Sequence, residues 1–151
     1  MKNKDLRVMK ITKYILLALM VIMAANADAK KKQVDHLYIF GFSASFQDSV
    51  VFITDIQDVP GAWIDSKTKF LLGRDNYSYQ LKNYFDQAAL PNRVNMVMFA
   101  TNKKKAEKLY QKLKKKYTAP KKRKKKKTYQ QYDVQYIPQQ AFRFEVVDMS
   151  D

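Results

Sequence analysis

Between Lys103 and Lys127 the chain carries fifteen basic residues and a single acid, Glu107. A run charged like this cannot be buried, because an unpaired ammonium in an apolar interior is strongly disfavoured. The core must therefore come from the rest of the chain and from one narrow stripe inside the run. That stripe is Ala106, Leu109, Tyr110, Leu113 and Tyr117, which repeats at helical spacing. The whole chain has a formal charge of +15. Outside this run and the first 29 residues, nine basic residues face eleven acidic ones. The reading is a nearly neutral body carrying one cationic feature.

The first 29 residues read as a cleaved Sec-type export signal. Lys2, Lys4, Arg7, Lys10 and Lys13 precede an uncharged run from Tyr14 to Ala25, and Ala27-Asp28-Ala29 has the small-x-small pattern of a signal peptidase site. The apolar run is shorter than the roughly twenty residues a membrane-spanning helix needs. The expected mature form is residues 30–151, a periplasmic or secreted soluble protein with no transmembrane span. Its formal charge is +12. No cysteine is present, so neither disulfides nor a lipid-modified cysteine contribute, and a single α+β domain must be held by its core.

His36 to Ala44 (HLYIFGFSA) and Val50 to Ile56 (VVFITDI) read as strands joined closely enough for an antiparallel hairpin. Gln57 to Asp75 has no sustained period and reads as an irregular excursion, with a short strand at Phe70 to Leu72 as an option. Asp75 or Asn76 is the expected cap of a helix whose face is Tyr77, Leu81, Tyr84, Phe85 and Ala88, ended by Pro91. Val94 to Ala100 (VNMVMFA) is apolar on both alternating faces and reads as a central, covered strand. Thr101 or Asn102 is expected to cap the lysine-rich helix, and residues 119–129 to form a disordered basic loop. Tyr132, Val134 and Tyr136 alternate with polar residues, as do Phe142, Phe144 and Val146. The expected order is β-β-α-β-α-β, with or without a last strand over 142–147. A two-layer sandwich with a mainly antiparallel sheet and both helices on one face would bury these stripes.

Composition excludes cysteine nucleophiles and cysteine-bound metals. Gly41, Gly61 and Gly73 stand alone, so no phosphate-cradling loop is formed. The sole histidine, His36, has no nucleophile elbow to serve. Asp55, Asp58 and Asp65 lack the spacing of a calcium loop and read as turn carboxylates. Trp63, after Pro60-Gly61-Ala62, reads as a core plug rather than an exposed platform. No catalytic residue, metal site or cofactor is therefore expected, and the chain reads as non-enzymatic.

The cationic run is the candidate site. Lys103, Lys104 and Lys105 open the second helix, where the dipole already disfavours cations, and Lys121, Lys122, Arg123, Lys124, Lys125, Lys126 and Lys127 form a second basic arm. Together they suit an anionic polymer or lipid headgroup, meaning a phosphate-bearing lipid or glycan, or nucleic acid, attracted through point charges. The bland alternative is a solvated lysine face kept for solubility. A second reading is an envelope protein-protein interaction module that uses a sheet edge or the Gln57 to Asp75 loop. A third is a hydrolase with a pocket lined by His36, Asp55 or Asp58.

The order hairpin, helix, strand, helix from His36 to Tyr117 resembles the core of GIY-YIG endonucleases. The two tripeptides would be Tyr38-Ile39-Phe40 and Phe52-Ile53-Thr54, which lack both glycines. Glu107 is the only acid of the second helix and lies near its start, and Arg74 precedes the expected first helix. The resemblance implies a degenerate relative without nuclease activity.

Overall fold

The structure, a computed structural model, describes residues 30–119 and 132–150. The expected leader and the run Lys121 to Lys127 lie outside the described residues. Nine elements follow in order: β1 (Lys31–Gln33), β2 (Tyr38–Ala44), β3 (Val50–Thr54), β4 (Gln57–Asp58), β5 (Trp63–Asp65), α1 (Arg74–Gln87), β6 (Val94–Ala100), α2 (Lys103–Thr118) and β7 (Asp133–Ile137). The content is α+β, with two helices among the described residues and a mostly antiparallel sheet.

β2 is the centre of that sheet. It pairs antiparallel with β6 along its whole length, from Tyr38↔Ala100 to Ala44↔Val94. Its other side pairs with β3 through Phe42↔Ile53 and with β4 through Ile39↔Gln57. Those two registers differ by one residue, so the chain bulges between β3 and β4. At the bulge the Gly41 N–H donates to Thr54 Oγ1 at 2.8 Å. β7 closes the far side by pairing with β3 in parallel, from Val50↔Asp133 to Thr54↔Ile137.

The two helices cover opposite faces of the sheet, which corrects the expected two-layer sandwich. Alternation along β2 decides this. Phe40 packs edge-on against Tyr110 of α2 and Phe42 at a tilt against Tyr117, whereas a Cβ at Gly41, on the reverse face, would meet Leu81 of α1. The same alternation sorts β3, where Val51 and Ile53 join the cluster under α2 and Phe52 packs on Phe85 of α1. Two hydrophobic clusters result. The larger, under α1, contains Ile39, Tyr77, Leu81, Phe85, Val97, Phe142 and Phe144; the smaller contains Phe40, Phe42, Val51, Ile53 and Leu113.

Several sequence expectations are revised locally. Gly73, not Asp75 or Asn76, precedes α1, in a left-handed conformation (φ 64) with no side-chain cap. A Cβ there would lie 2.9 Å from Val147 Cγ1, so glycine suits both the backbone and the packing. The excursion after Gln57 is structured: β5 pairs with β1, whose Lys31, Lys32 and Gln33 stay exposed, and Leu71 bridges to Ile64. Trp63 is partly buried in β5, and its Nε1 is enclosed without a partner among the described residues. β6 is an edge strand rather than a central one, since among the described residues it pairs with β2 alone. Its two apolar faces reflect a helix above and a helix below. Residues 142–147 form no strand, yet Phe142 and Phe144 are buried. The Gln57 side chain, itself buried, donates to the Phe142 carbonyl at 2.8 Å and accepts from the Phe144 N–H at 2.9 Å. Gln80 does the same for Glu145, and the Val147 N–H donates to the Tyr77 hydroxyl.

Candidate functional site

α2 begins at Lys103 behind Asn102, whose side chain accepts from the Lys105 N–H at 3.2 Å. Ala106 and Leu113 are buried, Tyr110 and Tyr117 are partly buried, and Leu109 is exposed. At about 100° per residue, Lys104, Lys105, Lys108, Lys112, Lys115 and Lys116 fall on one arc of about 120° that points away from the sheet. Lys103 and Lys114 flank the buried stripe on its other side, and Lys114 Nζ sits 5.0 Å from the Tyr136 ring centroid.

Among the described residues no salt bridge involves an α2 lysine; the ion pairs include Lys82 with Asp86 and Arg93 with Asp48, and His36 hydrogen-bonds with Asp58. The lysine arc is thus neither scattered around the molecule nor neutralised by carboxylates from elsewhere in the described fold. Five of its pairs stand three or four residues apart, namely 104 with 108, 105 with 108, 108 with 112, 112 with 115 and 112 with 116. Each such pair destabilises an isolated helix by roughly 0.2–0.5 kcal/mol. Lys115 and Lys116 lie in the last turn, where the dipole favours them, but Lys103, Lys104 and Lys105 oppose it. Of the expected anion-binding residues, the structure therefore places Lys103, Lys104 and Lys105 at an exposed helix start, and Lys121, Lys122, Arg123, Lys124, Lys125, Lys126 and Lys127 are outside the described residues.

The other sequence candidates do not converge. His36 Nδ1 lies 2.7 Å from Asp58 Oδ2 on an exposed surface, and the ring stacks on Tyr38. Asp55 accepts from the Gln139 N–H. Asp65 accepts from the N–H groups of Lys67 and Thr68, each at 2.7 Å, and the Thr68 bond does most to hold its carboxyl below 3.8, against the opposing effect of desolvation. Asp65 serves its own turn, whereas Asp55 and Asp58 meet partners remote in sequence, and among the described residues no group of three acids or histidines is placed to hold a metal.

Arg93 escaped sequence reasoning because it sits outside every periodic stripe. Its side chain is only 2 % exposed. It donates to Ser43 Oγ, to Asp48 Oδ2 and to the Val50 carbonyl, and its guanidinium lies 4.8 Å from the Phe52 ring centroid. It thereby fixes the β2–β3 turn to the start of β6. Beside that turn lies a hollow of about 460 Å³ lined by Phe42, Ala44, Phe46, Val94, Tyr117 and Tyr132, with Ser45 and Asp48 at its rim. A second, wider hollow of about 800 Å³ runs between the start of α1 and β6, past Phe70, Arg74, Asn95 and Met96. Asn95 Oδ1 is enclosed without a partner among the described residues.

Comparison with known protein families, with curated proteins and with solved structures gives no significant match. The likeness to GIY-YIG endonucleases gains nothing from the geometry either. Tyr38-Ile39-Phe40 and Phe52-Ile53-Thr54 lie on neighbouring strands. Arg74, however, is on α1, occupied with the Val97 carbonyl and the Phe70 ring, and Glu107 is on α2 across the sheet.

Proposed function

We propose that this chain is an exported, non-catalytic protein that binds an anionic partner through the lysine face of α2, continued in sequence by Lys121 to Lys127. The observation that carries this reading is the arc of six outward lysines with no carboxylate paired to any of them among the described residues. A helix kept only for solubility does better with both signs interspersed, which also removes the repulsion between neighbouring turns. Here Glu107 is the only acid in sixteen residues. Lysines one turn apart are about 6 Å from one another, inside the Debye length of about 8 Å at physiological salt, so their fields add. Phosphate-bearing lipids or glycans, and nucleic acid, share the chemistry such a face recognises.

Retention on heparin or phosphocellulose tests the reading. The protein is expected to be retained, and replacing Lys104, Lys108, Lys112 and Lys115 by Gln is expected to lower the eluting salt with helix content unchanged. Elution of the variant at the same salt would overturn it.

A second reading, an envelope interaction module, is favoured by β6. Among the described residues this strand has one neighbour, and it carries no charge and borders the wider hollow where Asn95 Oδ1 lacks a partner among those residues. Such an edge can accept a strand from another protein. A partner captured from an envelope fraction that survives high salt would support it, since charge-driven partners wash away.

A further inference from the structure

We infer that the anionic partner is a lipid bilayer, docked against the end of the molecule made by the β2–β3 turn and the last turn of α2, with Phe46 inserted among the acyl chains. The inference rests on the polyanion reading and names the partner within that class. Phe46 is 95 % exposed. One exposed aromatic is ordinary, but this one lines the smaller hollow together with Val94, itself 50 % exposed. The end of the molecule thus exposes Phe46 and Val94 around a hollow lined mostly by apolar and aromatic side chains.

The turn that carries Phe46 is braced. Ser45 Oγ accepts from the Gln47 N–H at 3.0 Å, Asp48 Oδ1 accepts from the Val50 N–H at 2.9 Å, and Arg93 ties Asp48, Ser43 and Val50 together. A side chain held out on a braced turn loses little conformational freedom on insertion. The acid at the rim, Asp48, is neutralised by that same Arg93 at 3.0 Å, so it does not repel a negative surface.

The charge is on the same end. Tyr117 lines the hollow, and Lys116 Nζ lies 5.4 Å from its ring centroid. Lys115 and Lys116 occupy the last turn of α2. Tyr132 also lines the hollow. An apolar wedge flanked by ammonium groups matches the layering of an anionic membrane, acyl chains beneath phosphates. A soluble polyanion would use the lysines and leave Phe46 without a role.

The test uses the full chain and its Phe46→Ser and Phe46→Trp variants. Binding is measured to phosphatidylglycerol-containing vesicles, to neutral phosphatidylcholine vesicles, to heparin and to single-stranded DNA. In the Phe46→Trp variant the emission of the introduced indole is read as the difference from the parent, whose native Trp63 supplies the background. The expected results are preference for the anionic vesicles, quenching of that added emission by lipids brominated in their acyl chains, and about a tenfold weaker vesicle affinity for Phe46→Ser. Heparin elution and circular dichroism of both variants are expected to match the parent. If heparin retention persists while the introduced indole is not quenched, or if Phe46→Ser binds vesicles as well as the parent, the bilayer inference fails and the polyanion reading stands. If Phe46→Ser weakens DNA or heparin binding as much as vesicle binding, Phe46 belongs to a polymer site and the inference also fails. Loss of retention on every anionic matrix would overturn both readings.

Discussion

The side-chain amide of Gln57 accepts a hydrogen bond at 2.9 Å from the backbone N–H of Phe144, 87 residues further along the chain. The same amide donates to the Phe142 carbonyl, so one glutamine does for the C-terminal segment what a neighbouring strand does in a sheet. Both bonds are buried, and a buried backbone group left unpaired costs about 1–3 kcal/mol. Gln57→Ala is therefore expected to lower stability by roughly 2–4 kcal/mol, read from denaturant midpoints. Faster amide exchange at residues 142–147 would locate the effect. An unchanged midpoint would show that the segment is held by Phe142 and Phe144 packing alone.

At Gly41, α1 packs close against the sheet. A Cβ at this position would stand 2.7 Å from Leu81 Cδ2 and 3.3 Å from both Phe144 Cζ and Thr54 Cγ2. Leu81 is fully buried and cannot swing aside freely, so Gly41→Ala is expected to destabilise by about 1–3 kcal/mol through overpacking. Leu81→Ala alone leaves a cavity that costs about 2–5 kcal/mol. The double variant should lose less than the sum of the two, because the new methyl fills part of that cavity. Strict additivity in thermal or urea unfolding would show that the two positions do not share this contact.

These two contacts mark the limit of what was legible in the sequence. Alternation and helical period place β2, β3, α1, β6 and α2, because each buries a stripe that repeats at its own spacing. The pattern Phe142, Phe144, Val146 signals burial rightly at Phe142 and Phe144 and fails at Val146, which is exposed while Val147 packs against the core. It does not reveal that side chains, not a strand, satisfy the backbone, since Gln57 and Gln80 look like any polar residues. In β6, apolar faces on both sides signal cover above and below, and period alone is silent on whether a strand lies alongside. The expectation of both helices on one face failed for a like reason, because period does not say which face of the sheet a helix covers. It is settled by Phe40 and Phe42 meeting α2 while Gly41 meets α1, a relation no single stripe contains. The lysine arc was legible as charge. Arg93 and the exposed Phe46, each a lone residue outside any repeat, were not.

Asp65 gives a pH signature. Its carboxylate accepts from the N–H groups of Thr68 and Lys67, which hold its pKa below 3.8 in the folded chain. A group with a lowered folded pKa contributes stability that is fully present above the unfolded pKa and is lost as pH falls through the folded one. Asp65→Asn keeps an acceptor oxygen but removes the charge. The parent is expected to be the more stable of the two near neutral pH, with the gap narrowing as pH is taken below 3.8. Urea midpoints of both proteins across that range check it, and a gap that widens toward acid would contradict the assigned role.

Lys105 separates stability from binding. It occupies the third helical position behind Asn102, where a glutamate could return a hydrogen bond to the Asn102 N–H and would also suit the helix dipole. Lysine in that place does neither, and it adds repulsion toward Lys108 one turn on. Lys105→Glu is therefore expected to stabilise the protein by about 0.5–1.5 kcal/mol, while lowering the salt at which it leaves heparin. Lys105→Gln should fall between parent and glutamate variant in both measurements. Opposite signs for stability and retention are what a helix start selected for anion binding predicts. If Lys105→Glu gained stability with no loss of retention, the first turn of α2 would be excluded from the binding face, leaving Lys108, Lys112, Lys115 and Lys116 to carry it.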